Sequence, residues 1–122
     1  MLLVEDSPTV RLVETMRLSE AGCQVEAVGD GAQALARALA SAYHLVVAGI
    51  EVRGLRGFDL VQALRQSPGY RGVPIILTSC DDRAEHRRLA AEVGAQAYIR
   101  KGAAGRQQLV ETARALLAGS AA

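Results

Sequence analysis

Apolar and polar positions alternate along this chain in two different periods. Short apolar runs at Met1–Val4, Gln24–Val28, Leu45–Glu51, Val73–Thr78 and Ala97–Ile99 read as strands, and between them apolar residues recur every three or four positions, as on helices. The run from Leu45 is the most continuous and rich in β-branched residues. It predicts a central strand covered on both faces. Gln24–Val28 alternates in polarity and predicts an edge strand. Ser7-Pro8 starts the first helix, with Ser7 capping and proline in the first turn. Val10, Leu12, Val13, Met16 and Leu18 predict its apolar face and Ala21-Gly22 its end. Gly29-Asp30-Gly31 predicts a turn, and Ala32–Ala42, with Leu35 and Leu39, a second helix. Phe58–Leu64 has helical spacing and stops near Ser67-Pro68-Gly69. Asp81-Asp82 opens a fourth helix that carries Leu89, Ala90 and Val93 on one side and closes at Gly94. Leu109, Val110, Ala113, Leu116 and Leu117 mark a final helix.

Strands and helices in strict alternation predict one α/β domain over residues 1–122, a doubly wound parallel sheet with helices on both faces. In such sheets ligands gather outside the carboxyl ends of the strands, so side chains there are the candidates for chemistry. The sequence puts Glu5 and Asp6 after the first strand, Gly49 at the third, Ser79 after the fourth and Lys101 after the fifth.

Composition narrows the function classes. Half the residues are hydrophobic and the formal net charge is +1, which points away from a nucleic-acid binder or an acidic disordered tail. With no tryptophan and one phenylalanine, aliphatic side chains must fill the core. Two cysteines, Cys23 and Cys80, are too few for a disulfide scaffold and read as buried thiols of a cytoplasmic protein with no membrane span. Gly49, Gly54 and Gly57 do not form a phosphate-binding loop, because Leu55 and Arg56 stand where a lysine and a hydroxyl residue would be needed. A dinucleotide site is disfavoured too, since Glu5-Asp6 at the first helix would repel a pyrophosphate.

Val4-Glu5-Asp6-Ser7, Leu45 to Phe58, Pro74 to Ser79 and Gly94-Ala95 through Lys101 together resemble, in order and spacing, the receiver domain of bacterial two-component signalling. The resemblance covers nearly the whole chain. It implies a flavodoxin-like five-stranded sheet of order 2-1-3-4-5 and assigns roles by position. Glu5 and Asp6 correspond to the acidic pair that holds magnesium, with the Glu51 backbone carbonyl as a further ligand. Ser79 corresponds to the hydroxyl that contacts the phosphoryl group, and Lys101 to the lysine that pairs with the phosphorylated centre. Tyr98 corresponds to the aromatic residue that rotates inward on phosphorylation. From the residues alone it reads as either a partner-facing residue or a half-buried core aromatic. The acceptor aspartate corresponds to Gly49. Arg53 and Arg56 also depart from the usual pattern of the loop that follows.

Glycine has no side-chain oxygen to attack phosphorus, so the resemblance implies a pseudo-receiver with no enzymatic activity, a phosphorylation-independent interaction module in two-component or chemotaxis-type signalling, either part of a hybrid histidine kinase or a separate regulator. The alternative is a phosphoacceptor that uses Glu51, or one whose acceptor aspartate at position 49 has been replaced. Magnesium binding is expected to be weak without a third carboxylate. Lys101, deprived of its partner, is expected to turn to Asp6 or Glu5. In receivers the fourth helix, fifth strand and fifth helix form the common docking surface for kinases and effectors. Arg83, Arg87 and Arg88 are therefore either partner contacts or a solvated helix face. His44 and His86 read as solvated.

Overall fold

The computed structural model describes residues 1–121. In chain order it contains β1 (Leu2–Val4), α1 (Pro8–Glu20), β2 (Glu26–Val28), α2 (Gly31–Ala40), β3 (Val46–Gly49), α3 (Gly57–Arg65), β4 (Ile75–Ser79), α4 (Ala84–Val93), β5 (Ala97–Arg100) and α5 (Ala103–Ala121). The strands form a five-stranded parallel sheet of order β2-β1-β3-β4-β5, the expected doubly wound topology. β3 sits at its centre and is buried throughout. β2 lies at one edge, with Glu26 and Ala27 exposed and only Val28 buried.

The period of two along the strands divides the core. Leu2, Val4, Val46, Ala48, Ile75 and Leu77 face α2, α3 and α4, where Ala34, Ala38, Leu60, Val61, Leu64 and Ala90 meet them. Leu3, Leu45, Val47, Ile76 and Ile99 face α1 and α5 and pack on Leu18, Leu109 and Ala113. Local signals hold the ends. Ser7 Oγ accepts from the Val10 amide at 3.3 Å, Asp30 Oδ1 accepts from Ala32 at 2.8 Å and Gln33 at 3.0 Å, and Gly94 ends α4 in the left-handed region at φ +98°.

Several expectations are corrected. Leu12 and Met16 are 61% and 52% exposed, because the buried stripe of α1 runs through Glu14 and Leu18, two residues out of step and so on the opposite side of the helix. Leu39 is also exposed, since α2 turns Ala34 and Ala38 inward, and Leu89 is partly so. Cys80 is exposed, as it follows the last residue of β4, and Cys23 is half-buried. Asp81 and Asp82 lie ahead of α4, which starts at Ala84, and α2 ends at Ala40. Pro68–Tyr70 forms a short 3-10 turn, where Tyr70 buries its ring and donates its hydroxyl proton toward the Ala38 and Ser41 carbonyls, at 2.6 and 2.7 Å. His86 is half-buried, its ring edge-on to Phe58.

Candidate functional site

Register places the polar strand ends side by side. Val4 is level with Ala48, Gly49 with Thr78, and Ser79 with Arg100, so Glu5, Gly49, Ser79 and Lys101 leave the sheet along one edge. The side chains then meet across it. Lys101 follows the outermost strand β5, yet its Nζ lies 2.5 Å from Glu5 Oε1 at the end of β1, with β4 and β3 between them. Gly49 leaves that path open. A Cβ at position 49 would stand 3.3 Å from Lys101 Nζ and 3.6 Å from Glu5 Oε1. The ammonium thus lies against the place a side chain would take.

Glu5 is fully engaged. Its side chain is 1% exposed, Oε2 accepts from the Ser7 amide at 2.9 Å, and its backbone carbonyl accepts from Arg11 Nη1 at 2.7 Å. Lys101 is 13% exposed. Burial opposes its charge, but the Glu5 carboxylate outweighs that and holds the Lys101 pKa above the ordinary value. Of the two acids expected to compete for Lys101, Glu5 is the one that pairs. Asp6 is half-exposed and its carboxylate makes no ion pair or hydrogen bond among the described residues.

The other side of the edge has its own polar run. Ser79 Oγ donates to Glu51 Oε1 at 2.7 Å and accepts from the Asp81 amide at 3.0 Å. Tyr98 is 7% exposed and donates its hydroxyl proton to the Asp81 carbonyl at 2.6 Å, so its ring lies inward. Burial raises the Tyr98 pKa above its ordinary value. The Arg87 guanidinium lies 5.1 Å from the centre of that ring, donates from Nη1 to the Tyr98 carbonyl at 3.2 Å and pairs with Asp82. Arg83 pairs with Asp81 at 2.6 Å and Arg88 with Glu92 at 3.8 Å. All three arginines of the cluster therefore have local acidic partners, and Arg87 is part of the Tyr98 support.

The donor set does not suit a magnesium ion. Glu5 spends one oxygen on Lys101 and the other on the Ser7 amide, position 49 offers no carboxylate, and the Glu51 carboxylate is bonded to Ser79. Among the carboxylates of the site only Asp6 is uncommitted, which with the Glu51 backbone carbonyl leaves two protein ligands, and no cluster of three metal-binding side chains occurs among the described residues. A divalent ion would have to displace Lys101.

Glu14 was not singled out from the sequence. It is 4% exposed on α1, Oε1 has no hydrogen-bond partner, and burial, then the nearby Glu5 charge, pushes its pKa up to about 7, against an opposing pull from Lys101 and Arg106. The spacing Val10, Glu14, Leu18 is the signal that could have placed it on the buried stripe. The Glu51 side chain was considered only as an alternative phosphoacceptor, and its hydrogen bond from Ser79 was missed. No helix among the described residues is long and apolar enough to cross a membrane.

Comparison with known proteins identifies the family to which this fold belongs. The chain is 32% identical over 110 residues, 90% of its own length, to the gliding motility regulatory protein of Myxococcus xanthus, but spans only 14% of that relative. The chemotaxis response regulator CheY4 of Vibrio cholerae superposes with a TM-score of 0.87 at 27% identity, covering 94% of this chain and 95% of that one. A sensor histidine kinase receiver domain from Pseudomonas aeruginosa, with a magnesium ion coordinated in its active-site cleft, gives 0.86 at 26% identity over 96% and 95%. The family model of the response regulator receiver domain matches residues 1–114, and the chain belongs to that family of two-component signalling domains.

Proposed function

We propose that this receiver works without phosphorylation, as a pseudo-receiver that signals through shape and contact. The observation that carries this reading is the Lys101 ammonium, bound to Glu5 at 2.5 Å and lying 3.3 Å from where a Cβ at Gly49 would stand. An internal cation and carboxylate occupy the strand edge at which a receiver would assemble metal and phosphoryl group, and the acceptor position supplies no oxygen. The domain then acts as an interaction module for a histidine kinase or a downstream effector through α4, β5 and α5, whether as part of a hybrid kinase or as a separate regulator. Arg88, exposed on α4, and Arg83, exposed just ahead of it, belong to that surface.

Intact-mass measurement after incubation with acetyl phosphate and magnesium tests this. The chain is expected to show no gain of a phosphoryl mass, and Gly49→Asp is expected to show one once Lys101 is drawn to the new carboxylate. A phosphoryl adduct on the unaltered chain, on Glu51 or any other carboxylate, would overturn the reading.

A further inference from the structure

The polar run on the far side of the edge has a consequence for how the domain holds its shape. We propose that the Glu51 side chain is a resident ligand of Ser79 and the positioning residue that keeps Tyr98 inward. It goes beyond the reading above and rests on it in one respect, that no phosphoryl group competes for Ser79.

Ser79 has no exposed surface, and its hydroxyl oxygen already accepts the Asp81 amide at 3.0 Å, so its proton must find an acceptor inside the protein. Glu51 Oε1 is that acceptor, at 2.7 Å. Glu51 is itself exposed and keeps part of its hydration while serving, which makes it an inexpensive ligand for a buried hydroxyl. With Ser79 fixed by two bonds, the Asp81 amide is held as well, and the carbonyl on the other side of the same residue is the group to which the Tyr98 hydroxyl donates at 2.6 Å. Arg87 closes the run, over the Tyr98 ring at 5.1 Å and paired with Asp82 in the same loop. One acidic side chain in the loop after β3 is thereby connected through Ser79 and Asp81 to an aromatic on β5 and an arginine on α4. Remove the carboxylate and the buried hydroxyl must rotate toward another acceptor, which moves the oxygen that the Asp81 amide donates to, loosens that residue and with it the carbonyl that holds Tyr98.

The test is fluorine NMR of the chain labelled with 3-fluorotyrosine, with a soluble paramagnetic probe reporting solvent access. Tyr98 is assigned from Tyr98→Phe. Tyr43 and Tyr70 are as buried as Tyr98 but sit ahead of β3 and β4, at the opposite end of the sheet, so they report on folding alone. In the unaltered chain all three resonances are expected to be protected. In Glu51→Ala, Tyr98 is expected to shift and lose its protection while Tyr43 and Tyr70 stay unmoved. An unmoved, protected Tyr98 would overturn the proposal. Should Tyr43 and Tyr70 lose protection too, Ser79→Ala breaks the same bond from the other side, and there a protected Tyr98 overturns the proposal and a released one supports it. A phosphoryl mass gain on the unaltered chain, together with release of Tyr98 in Glu51→Ala, would sink phosphorylation independence and leave the Glu51 role standing.

Discussion

Glu5 and Glu14 are the same residue type, nearly equally hidden from water, on the same side of the molecule, yet they live in opposite circumstances. Glu5 sits where a strand opens into a loop, and there the chain has unspent groups to offer: the Ser7 amide at 2.9 Å and, from across the sheet, Lys101 at 2.5 Å. Glu14 sits inside α1, where the surrounding backbone amides are already committed to helical hydrogen bonds, and its Oε1 has no hydrogen-bond partner. A strand end can satisfy a buried carboxylate from its own loop. A helix interior cannot, so the cost appears as a carboxyl that holds its proton up to about pH 7.

The largest effect should come from breaking the satisfied site. Lys101→Met strands the Glu5 carboxylate with a single amide and should cost about 3–5 kcal/mol in urea denaturation at pH 7. A loss below about 1 kcal/mol would show that water replaces the lysine. The intact pair also has a pH signature. Because the folded Lys101 pKa lies above its ordinary 10.5, its contribution is complete below that value and disappears as pH rises through the raised one, so stability should fall only in the alkaline range.

Next in size is relief at the unsatisfied site. The Glu14 pKa rises from 4.5 to about 7 on folding, so the unfolded chain ionises first. Its stabilising proton is fully present below pH 4.5 and lost as pH climbs through about 7, a decline of up to about 3 kcal/mol. Glu14→Leu should remove that slope and raise stability at pH 8 by about 1–3 kcal/mol. A pH profile identical to that of the unaltered chain would refute the assignment. The smallest effect belongs to Arg106→Gln. The Arg106 charge draws the Glu14 pKa down, so its loss should move the Glu14 midpoint, followed by carboxyl carbon NMR, further up, with a stability change of only a few tenths of a kcal/mol.

The same contrast explains what could be read in advance. Strand and helix order, the capping by Ser7 and the stop at Gly94 were legible because each rests on interactions within a few residues. The polar strand ends were legible because a parallel sheet brings its carboxyl ends to one edge, whatever fills the core. Faces of helices were less so. Leu12, Met16 and Leu39 are apolar and exposed, because which stripe is buried depends on how the helix is rolled against the sheet, and small Ala34 and Ala38 permit a close approach that leucine would prevent.

By itself, then, the sequence determined the alternating fold, the edge at which chemistry gathers and the bare backbone at Gly49, since these follow from period, turn residues and the identity of one side chain. Tertiary structure alone decided that Lys101 chooses Glu5 over Asp6, that Glu51 captures the Ser79 hydroxyl and that Tyr98 lies inward. Each of those is a choice among partners distant in sequence. Distances of a few ångströms and competition for the same hydrogen bonds settle it, and neither is written in local pattern.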